Sequence, residues 1–314
     1  MRVVLICFVT LTIVLFTINH NTNAGCNPPV GDVITCTPAA PNPDFMGVQQ
    51  SGNNNDLTVN VLEGTEINTE DDELLDAIRT SGGNDLINVT RAIVRGGDSG
   101  IETGGANDTI NVIGALVSAD FRGIEAGNQD DTVNIMEGAD IISTGEIAIQ
   151  TGNDMDKVTV DDSTVTSFVN DGIETANAED MVTITNSVIT GGPGFFAVDL
   201  GNGDDMLTLN NGADLRGGID CRDDFDILVF AMQVPTDELD ELTAQIEASD
   251  PEGGSITINR LFYEWENCEE LVADLSGGFI SPVPTLSEWG LIAMAGLLGI
   301  VGFIMVRRKR RVIV

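Results

Sequence analysis

Histidine is nearly absent from this sequence. Its one copy, His20, lies in an apolar N-terminal segment that we expect to be removed from the mature protein. Imidazole is a common general base near neutral pH and the commonest metal ligand. The shortage argues against hydrolases of the Ser-His-Asp and Cys-His types and against His-containing zinc sites.

Basic residues are also scarce, with 14 Lys and Arg against 50 Asp and Glu in 314 residues and a formal charge of −36. Six of the basic residues lie in the terminal segments, which leaves 8 basic against 50 acidic residues, or −42, between them. Such a chain repels nucleic acid and attracts divalent cations and basic partners. We therefore expect no nucleic-acid partner. A hydrophobic fraction of 42% is too high for a disordered acidic chain, so we expect a folded scaffold.

Cysteine is limited to five copies, and Cys7 lies in the N-terminal segment. The other four form no CxxC pair, which argues against a redox or zinc role. An even number in an exported chain predicts two disulfides, and proximity in the sequence favours Cys26–Cys36 and Cys221–Cys268.

The N-terminus has the pattern of a secretory signal peptide. Arg2 precedes an apolar run over residues 3–18, and Thr22-Asn23-Ala24 follows, so we expect a signal peptide over residues 1–24 with cleavage after Ala24. Residues 25–50 are rich in Pro and Gly and are predicted to form an irregular N-terminal cap or linker.

One phrase then recurs, most clearly as GIETGGANDTINV at residues 100–112 and GIEAGNQDDTVNI at residues 123–135. An aspartate column defines seven copies: Asp85, Asp108, Asp131, Asp156, Asp180, Asp205 and Asp226. An aliphatic residue stands two positions after each aspartate, another apolar residue stands four after it, and Ile or Val stands seven before it. An additional first copy aligns on Asn55.

A period of about 24 residues with alternating Val and Ile indicates short stacked strands. We predict an all-β fold, a single-stranded parallel β-helix over residues 51–278 with about three strands per coil, and we expect right-handed winding. Residues 236–248 show helical spacing and are predicted to form a helix that is inserted in the solenoid or caps it, with Thr236 as the N-cap. Residues 255–259 resume strand alternation, and the last coil is held by Cys268.

The C-terminus carries a second pattern. Residues 279–289 form a linker and motif, residues 290–306 are predicted to be a transmembrane helix, and residues 307–314 form a basic cytoplasmic tail. The motif residues, Val283, Pro284, Thr285, Leu286, Ser287, Glu288, Trp289 and Gly290, resemble the IPTL-CTERM sorting signal, a relative of PEP-CTERM, with Val in place of Ile. The resemblance implies export in a Gram-negative-type bacterium and processing by an exosortase-like membrane enzyme. A membrane-anchored intermediate would then reach the cell surface or the extracellular space.

The turns of the repeat suggest calcium. GGANDTINV and GNGDDMLTL are similar to the calcium-binding nonapeptide of RTX proteins, although this chain has only one such turn per coil. The seven aspartates of the column are therefore the candidate calcium ligands. Alternatively, backbone amides of the turns satisfy the same carboxylates and no metal is needed.

The function that these features favour is a non-catalytic surface or matrix protein, adhesive in character, with extracellular polysaccharide as an expected partner. We expect no catalytic residues. A polysaccharide lyase or glycoside hydrolase of the β-helix type is the alternative, and a calcium-binding surface protein is another. The repeats contain few side chains for sugar chemistry: Phe121, Phe168, Phe195 and Phe196, with Arg79, Arg91, Arg95, Arg122 and Arg216 as the arginines near the coils.

Overall fold

A computed structural model describes residue 26 and residues 32–38, 47–50, 55–235 and 238–275. These residues form a parallel β-solenoid of about 8 turns with about 24 residues per coil, as the repeat predicts. The predicted signal peptide, the sorting motif, the transmembrane helix and the basic tail lie outside the described residues. Within the described ranges, no helix has the length and apolar character needed to cross a membrane.

The strands are short and follow one another with tight turns between them. The first half comprises β1 Val33–Cys36, β2 Val48–Gln49, β3 Thr58–Val61, β4 Glu66–Asn68, β5 Ile78–Arg79, β6 Leu86–Thr90, β7 Ile93–Gly96, β8 Ser99–Gly105, β9 Thr109–Ile113, β10 Leu116–Ala119, β11 Arg122–Asn128, β12 Thr132–Met136 and β13 Asp140–Ser143. The second half comprises β14 Ile149–Asn153, β15 Lys157–Asp161, β16 Thr164–Ser167, β17 Ile173–Asn177, β18 Met181–Thr185, β19 Val188–Thr190, β20 Val198–Asp199, β21 Met206–Asn210, β22 Asp214–Arg216, β23 Ile219–Asp220, β24 Ile227–Ala231, α1 Leu239–Ala248, β25 Gly253–Ile258, β26 Leu261–Glu266 and β27 Glu270–Ala273.

Every third strand pairs with the strand one coil away, and this produces three sheets. Sheet A has the order β1-β3-β6-β9-β12-β15-β18-β21-β24-β27. Sheet B has the order β22-β19-β16-β13-β10-β7-β4, and sheet C the order β2-β5-β8-β11-β14-β17-β20-β23-β26-β25. All pairings are parallel except that of β25 with β26.

The alternation of apolar and polar residues directs one aliphatic column of each sheet into the interior. In sheet A, Ile87, Ile110, Val133 and Val158 are register partners and are all fully buried. The Ile and Val residues seven positions before each aspartate form the matching column of sheet C. Burial of these stacked side chains is the main favourable term for a solenoid, because each coil is stable only against its neighbours.

The first coil has a different register from the one the sequence predicts. Val59 pairs with Ile87 and Val61 with Val89, so Leu57, not Asn55, lies opposite Asp85. A shift by two residues leaves the same side chains facing inward, so the alternating pattern cannot distinguish the two registers.

The N-terminal cap is more regular than predicted. Strand β1 pairs with β3 at the end of sheet A, and β2 pairs with β5 at the end of sheet C. The alternation in Val33–Cys36 directs Ile34 and Cys36 into the core. The predicted disulfide Cys26–Cys36 is present.

The C-terminal end differs from the prediction in two respects. Helix α1 begins at Leu239, with Glu238 at the N-cap and no side-chain capping bond, whereas the predicted cap Thr236 lies outside the described residues. Strand β25, which contains the predicted strand at residues 255–259, runs antiparallel to β26 instead of adding a coil, because a short hairpin returns the chain. The predicted disulfide Cys221–Cys268 joins the last coil to the preceding one.

Candidate functional site

The seven aspartates of the column lie inside the solenoid, between 0 and 3% exposed. Each Oδ1 accepts a hydrogen bond from a backbone N–H of the preceding coil. The Asp108 N–H donates to Asp131 Oδ1 at 2.7 Å, and the Asp131 N–H donates to Asp156 Oδ1 at 2.8 Å. The same type of hydrogen bond is found at both ends of the column. The Leu57 N–H donates to Asp85 Oδ1 at the first end, and the Asp226 N–H donates to Glu269 Oε2 at the last. The carboxylates therefore join neighbouring coils.

The second oxygen of the column has no partner. Oδ2 is buried without a hydrogen bond in six of the seven aspartates: Asp108, Asp131, Asp156, Asp180, Asp205 and Asp226. Burial, which disfavours the charged form, raises their pKa values to about 7, 8, 6, 9, 7 and 8 in that order. The pKa of Asp85 is raised for the same reason. The column therefore favours bound protons near neutral pH.

The geometry of the aspartate column also bears on whether the column can bind calcium. Within the described part of the chain, no group of three or more His, Cys, Asp or Glu side chains could hold a metal ion. Calcium prefers six to eight oxygen ligands, whereas each aspartate presents one amide-bonded oxygen and one enclosed oxygen. These contacts fit the alternative in which backbone amides satisfy the carboxylates. The amides belong to the preceding coil, however, and not to the turn of the aspartate itself. Calcium binding and the metal-free turn remain the two hypotheses drawn from the sequence, and a melt with and without a chelator, described below, distinguishes them.

A second polar column lies on the outward-facing side of sheet C, where all its members are half-buried or exposed except the buried Asp199 and Asp220. It consists of the residue directly after each inward Ile or Val, and after the inward Trp265 in the last coil. We call it the sheet C face: Gln49, Arg79, Glu102, Glu125, Gln150, Glu174, Asp199, Asp220 and Glu266. Adjacent members are register partners, so their side chains are one strand spacing apart, ~4.8 Å. Strand stacking thus collects the acidic residues of separate repeats into one row.

One end of the sheet C face contains an acid pair joined by an arginine. Arg79 contacts Asp76 Oδ2 at 3.2 Å and Glu102 Oε1 at 2.9 Å. Asp76 is buried, and its Oδ1 accepts the Ser99 N–H at 2.9 Å. Burial, and secondly the charge of Asp76, raise the pKa of Glu102 to about 7. Glu102 can therefore hold a proton at neutral pH.

A second arginine, Arg122, lies two coils further along sheet C. Arg122 contacts Glu125 Oε2 at 2.9 Å and Glu146 Oε2 at 2.8 Å, and its guanidinium lies 5.5 Å from the ring centroid of Phe121. Burial and the charge of Asp76, followed by that of Glu125, raise the pKa of the nearby Asp98. Acids, an arginine and an aromatic ring therefore lie side by side here.

A third arginine, Arg222, was not among those that the sequence placed near the coils. Its Nε donates to Asp199 Oδ1 at 2.6 Å, its Nη2 also pairs with Asp199, and its Nε lies 3.7 Å from Asp220 Oδ2. Arg222 has a φ of 68°. Arg222 follows Asp220 of the sheet C face by two residues, and a basic residue that close to an acid of this face was the signal available in the sequence.

Exposed apolar side chains gather where sheet B turns into sheet C. Five of the ten large hydrophobic residues that are exposed among the described residues lie there, and we call them the aromatic corner: Leu74, Phe121, Phe168, Val169 and Phe195. Phe168 is 57% exposed. The N–H of Glu146 bonds to the carbonyl of Phe121, and the N–H of Gly192 bonds to that of Asn170, which stacks the successive corner turns. The corner therefore forms a row parallel to the solenoid axis, beside the sheet C face.

Comparison with known proteins identifies one segment of the chain. Residues 281–310 match the IPTL-CTERM motif. No curated protein and no solved structure gives a significant match. The match covers all eight predicted motif residues, 283–290, and confirms the resemblance drawn from them.

The IPTL-CTERM motif is a sorting signal for an exosortase-like system and implies an exported, membrane-processed protein of a Gram-negative-type bacterium. It lies outside the described residues and carries no information about binding. The sequence did contain a signal for the sheet C face, because a polar or charged residue follows the inward aliphatic in every copy of the phrase. Only the stacking shows that these residues share one surface.

Proposed function

We propose that the protein is an exported, non-catalytic β-solenoid of the cell surface or extracellular matrix that binds an extended polysaccharide along the aromatic corner. The observation that carries this proposal is the row of exposed rings at one corner, next to a face of carboxylates, amides and guanidinium groups. Exposed apolar patches of this kind mark interaction sites. The IPTL-CTERM motif supports the export that such a role requires.

The chemistry of the corner suits a sugar polymer. Aromatic rings stack on the C–H faces of pyranose rings, and the polar groups of the sheet C face hydrogen-bond to hydroxyls. Phe121 and Phe168 are two coils apart, about 10 Å at the usual strand spacing, and Phe195 follows one coil later. A polymer parallel to the axis would meet rings repeatedly. The acidic surface repels polyanions, so the favoured ligand is an uncharged polysaccharide.

Binding to insoluble and soluble polysaccharides tests the proposal. We expect Phe121→Ala/Phe168→Ala to weaken binding to uncharged polymers on the order of tenfold, at ~0.5–1.5 kcal/mol per aromatic contact. The matched control is Met155→Ala/Phe225→Ala, which removes two exposed apolar side chains from the corner between sheets C and A. Equal binding by wild type and the Phe121/Phe168 variant would refute the proposal.

The sorting step has a separate test. Intact mass of the protein recovered from cells and from the medium reports both ends of the mature chain. We expect loss of the N-terminal 24 residues and processing near the IPTL-CTERM motif. Recovery of a full-length C-terminus from the surface fraction would favour a plain membrane anchor.

Glycoside hydrolysis is a second candidate, and the neighbouring glutamates Glu102 and Glu125 of the sheet C face are the observation that favours it. Glu102 and Glu125 are register partners on adjacent strands, and retaining glycosidases hold their two carboxyl groups ~5–5.5 Å apart. Glu102, with its raised pKa, would donate the proton. Glu125, paired with Arg122, would be the nucleophile.

Release of reducing ends from a panel of polysaccharides tests this candidate. Turnover by wild type that is lost in both Glu102→Gln and Glu125→Gln, but kept in the exposed-site control Glu179→Gln, would establish hydrolysis at the pair. Absence of turnover across the panel, combined with binding, would leave the non-catalytic function.

A further inference from the structure

The C-terminal end of the aromatic corner opens into a cleft of about 680 Å³. One wall is the turn that carries Phe195 and Phe196, and the opposite wall is the hairpin of β25 and β26. Gly218 and Ile219 lie between the two walls. The size falls in the range of small-ligand sites, ~300–1,000 Å³.

Glycines allow this cleft to form. A Cβ on Gly218 would lie 3.2 Å from the Phe196 ring, and a Cβ on Gly254 would lie 2.7 Å from the Trp265 ring. The missing side chains let both aromatic residues pack close to the backbone. In β26, Tyr263 and Trp265 face inward, so Glu264 and Glu266 face outward into the cleft.

The charge of the cleft is unlike that of the rest of the sheet C face. Elsewhere the carboxylates have protein partners: Glu102 has Arg79, Glu125 has Arg122, and Asp199 has Arg222. Three glutamates line the cleft, Glu252, Glu264 and Glu266, and no basic residue lines it. None of these three forms an ion pair with a described residue, and the neighbouring Asn267 donates its side-chain amide to Asp220.

The three glutamates do not constitute a metal site, because within the described residues no group of three acidic, His or Cys side chains could hold a metal ion. The open carboxylates and an exposed ring suit a larger, organic cation. An ammonium group gains from carboxylates and from the face of an aromatic ring. Phe195 belongs to both the cleft and the aromatic corner, so a sugar chain on the corner would extend into it.

We propose that this cleft binds the protonated amine of an amino-sugar residue, with Phe195 against the sugar ring and Glu264 and Glu266 against the ammonium group. This deepens the proposed function, since it rests on sugar binding along the same corner and adds a preference for an aminated residue at one end.

Calorimetric titration with a glucosamine oligomer, whose amines are free, and with the N-acetylated oligomer tests the proposal at mildly acidic pH. We expect the aminated oligomer to bind more tightly. Glu264→Gln/Glu266→Gln should weaken its binding on the order of tenfold, as expected for charge-assisted hydrogen bonds, and leave the acetylated oligomer unaffected. Asp240→Asn/Glu247→Gln on α1 is the control, because it removes the same charge from an exposed surface.

Equal weakening by the control pair would show general electrostatic attraction and overturn the proposal. Equal binding of the two oligomers would also overturn it. So would a lysine oligomer that binds as tightly with the same dependence on Glu264 and Glu266, because the site would then recognise an amine without a sugar. Loss of acetylated-oligomer binding in Phe121→Ala/Phe168→Ala reports separately on the corner, so failure of the cleft and failure of the proposed function are distinguishable.

Discussion

The backbone N–H of Asp156 donates to Asp180 Oδ1 at 2.7 Å, while Asp180 Oδ2 is buried with no hydrogen-bond partner. One carboxyl group thus joins two coils with one oxygen and leaves the other oxygen enclosed. A neutral carboxylic acid tolerates this environment better than a carboxylate, because burial penalises the charge. The same relationship recurs through the solenoid and has consequences for its stability.

Stability should fall as the pH rises. Six aspartates of the column have pKa values raised from 3.8 to about 6–9, so the folded chain binds more protons than the unfolded chain between about pH 4 and 9. The free energy of unfolding therefore decreases across that window. A loss of ~2 kcal/mol would lower the Tm by about 4–8 °C in a domain of this size.

Thermal melts at about pH 5, 7 and 9 measure this dependence. The acidic surface also repels itself more strongly at high pH, so the melts are repeated in ~1 M salt, which screens exposed charges within ~3 Å. A pH dependence of the Tm that persists in ~1 M salt arises from the buried aspartate column, because salt screens the exposed charges. A Tm that rises with pH would contradict the protonated column.

Substitutions of Asp180 should distinguish the hydrogen bond accepted by Oδ1 from the effect of burying a titrating carboxyl group. Asp180→Asn keeps the acceptor for the Asp156 N–H and removes the titrating group, so we expect stability within ~1 kcal/mol of wild type at neutral pH and a smaller decrease at higher pH. Asp180→Ala leaves that N–H buried without a partner and should cost ~1–3 kcal/mol at every pH. Denaturant unfolding followed by circular dichroism measures both effects.

The control for this pair is Asp161→Ala, which truncates an exposed aspartate at the end of β15 and should change little. If the Asn and Ala variants were equally unstable, the hydrogen bond to Oδ1 would not be the feature that matters.

Removal of divalent cations should leave the melting transition unchanged. The Oδ1 atoms of the column are already held by backbone amides of the preceding coil, as in the 2.7 Å contact from Asp180 N–H to Asp205 Oδ1. Melts with a chelator and with added calcium measure the difference. A Tm that rises by several degrees in calcium, and does so less in Asp205→Asn, would instead establish calcium binding by the column.

The two disulfides should contribute unequally. Cys221–Cys268 spans 47 residues and Cys26–Cys36 spans 10, and the loop-entropy relation gives about 4 and about 2.7 kcal/mol. We expect Cys221→Ser/Cys268→Ser to lower the Tm more than Cys26→Ser/Cys36→Ser. Calorimetry of the two variants beside wild type checks the order. The reverse order would mean that the N-terminal coil limits the stability of the solenoid.

Much of the fold was predictable from the sequence because each coil of a solenoid buries the same positions of the repeat and turns at the same positions. The inward columns of sheets A and C follow from alternation alone, since period-two spacing determines which side chains face the core. The same argument failed in the first coil. Val59, and not Leu57, is the partner of Ile87, and a slip of two residues keeps the same face inward.

The sequence by itself determined the coil-building unit, the IPTL-CTERM motif and the pairing of the cysteines, because each depends on residues that are close together or regularly spaced in the chain. Only the tertiary structure decided the rest. It placed the aspartate column inside and brought Glu102 beside Glu125. It aligned Phe121, Phe168 and Phe195 on one corner, and it set the C-terminal hairpin against that corner. The reason is that a surface on a solenoid is assembled from one residue per coil, and coil lengths that vary from 21 to 28 residues hide the alignment until the strands are paired.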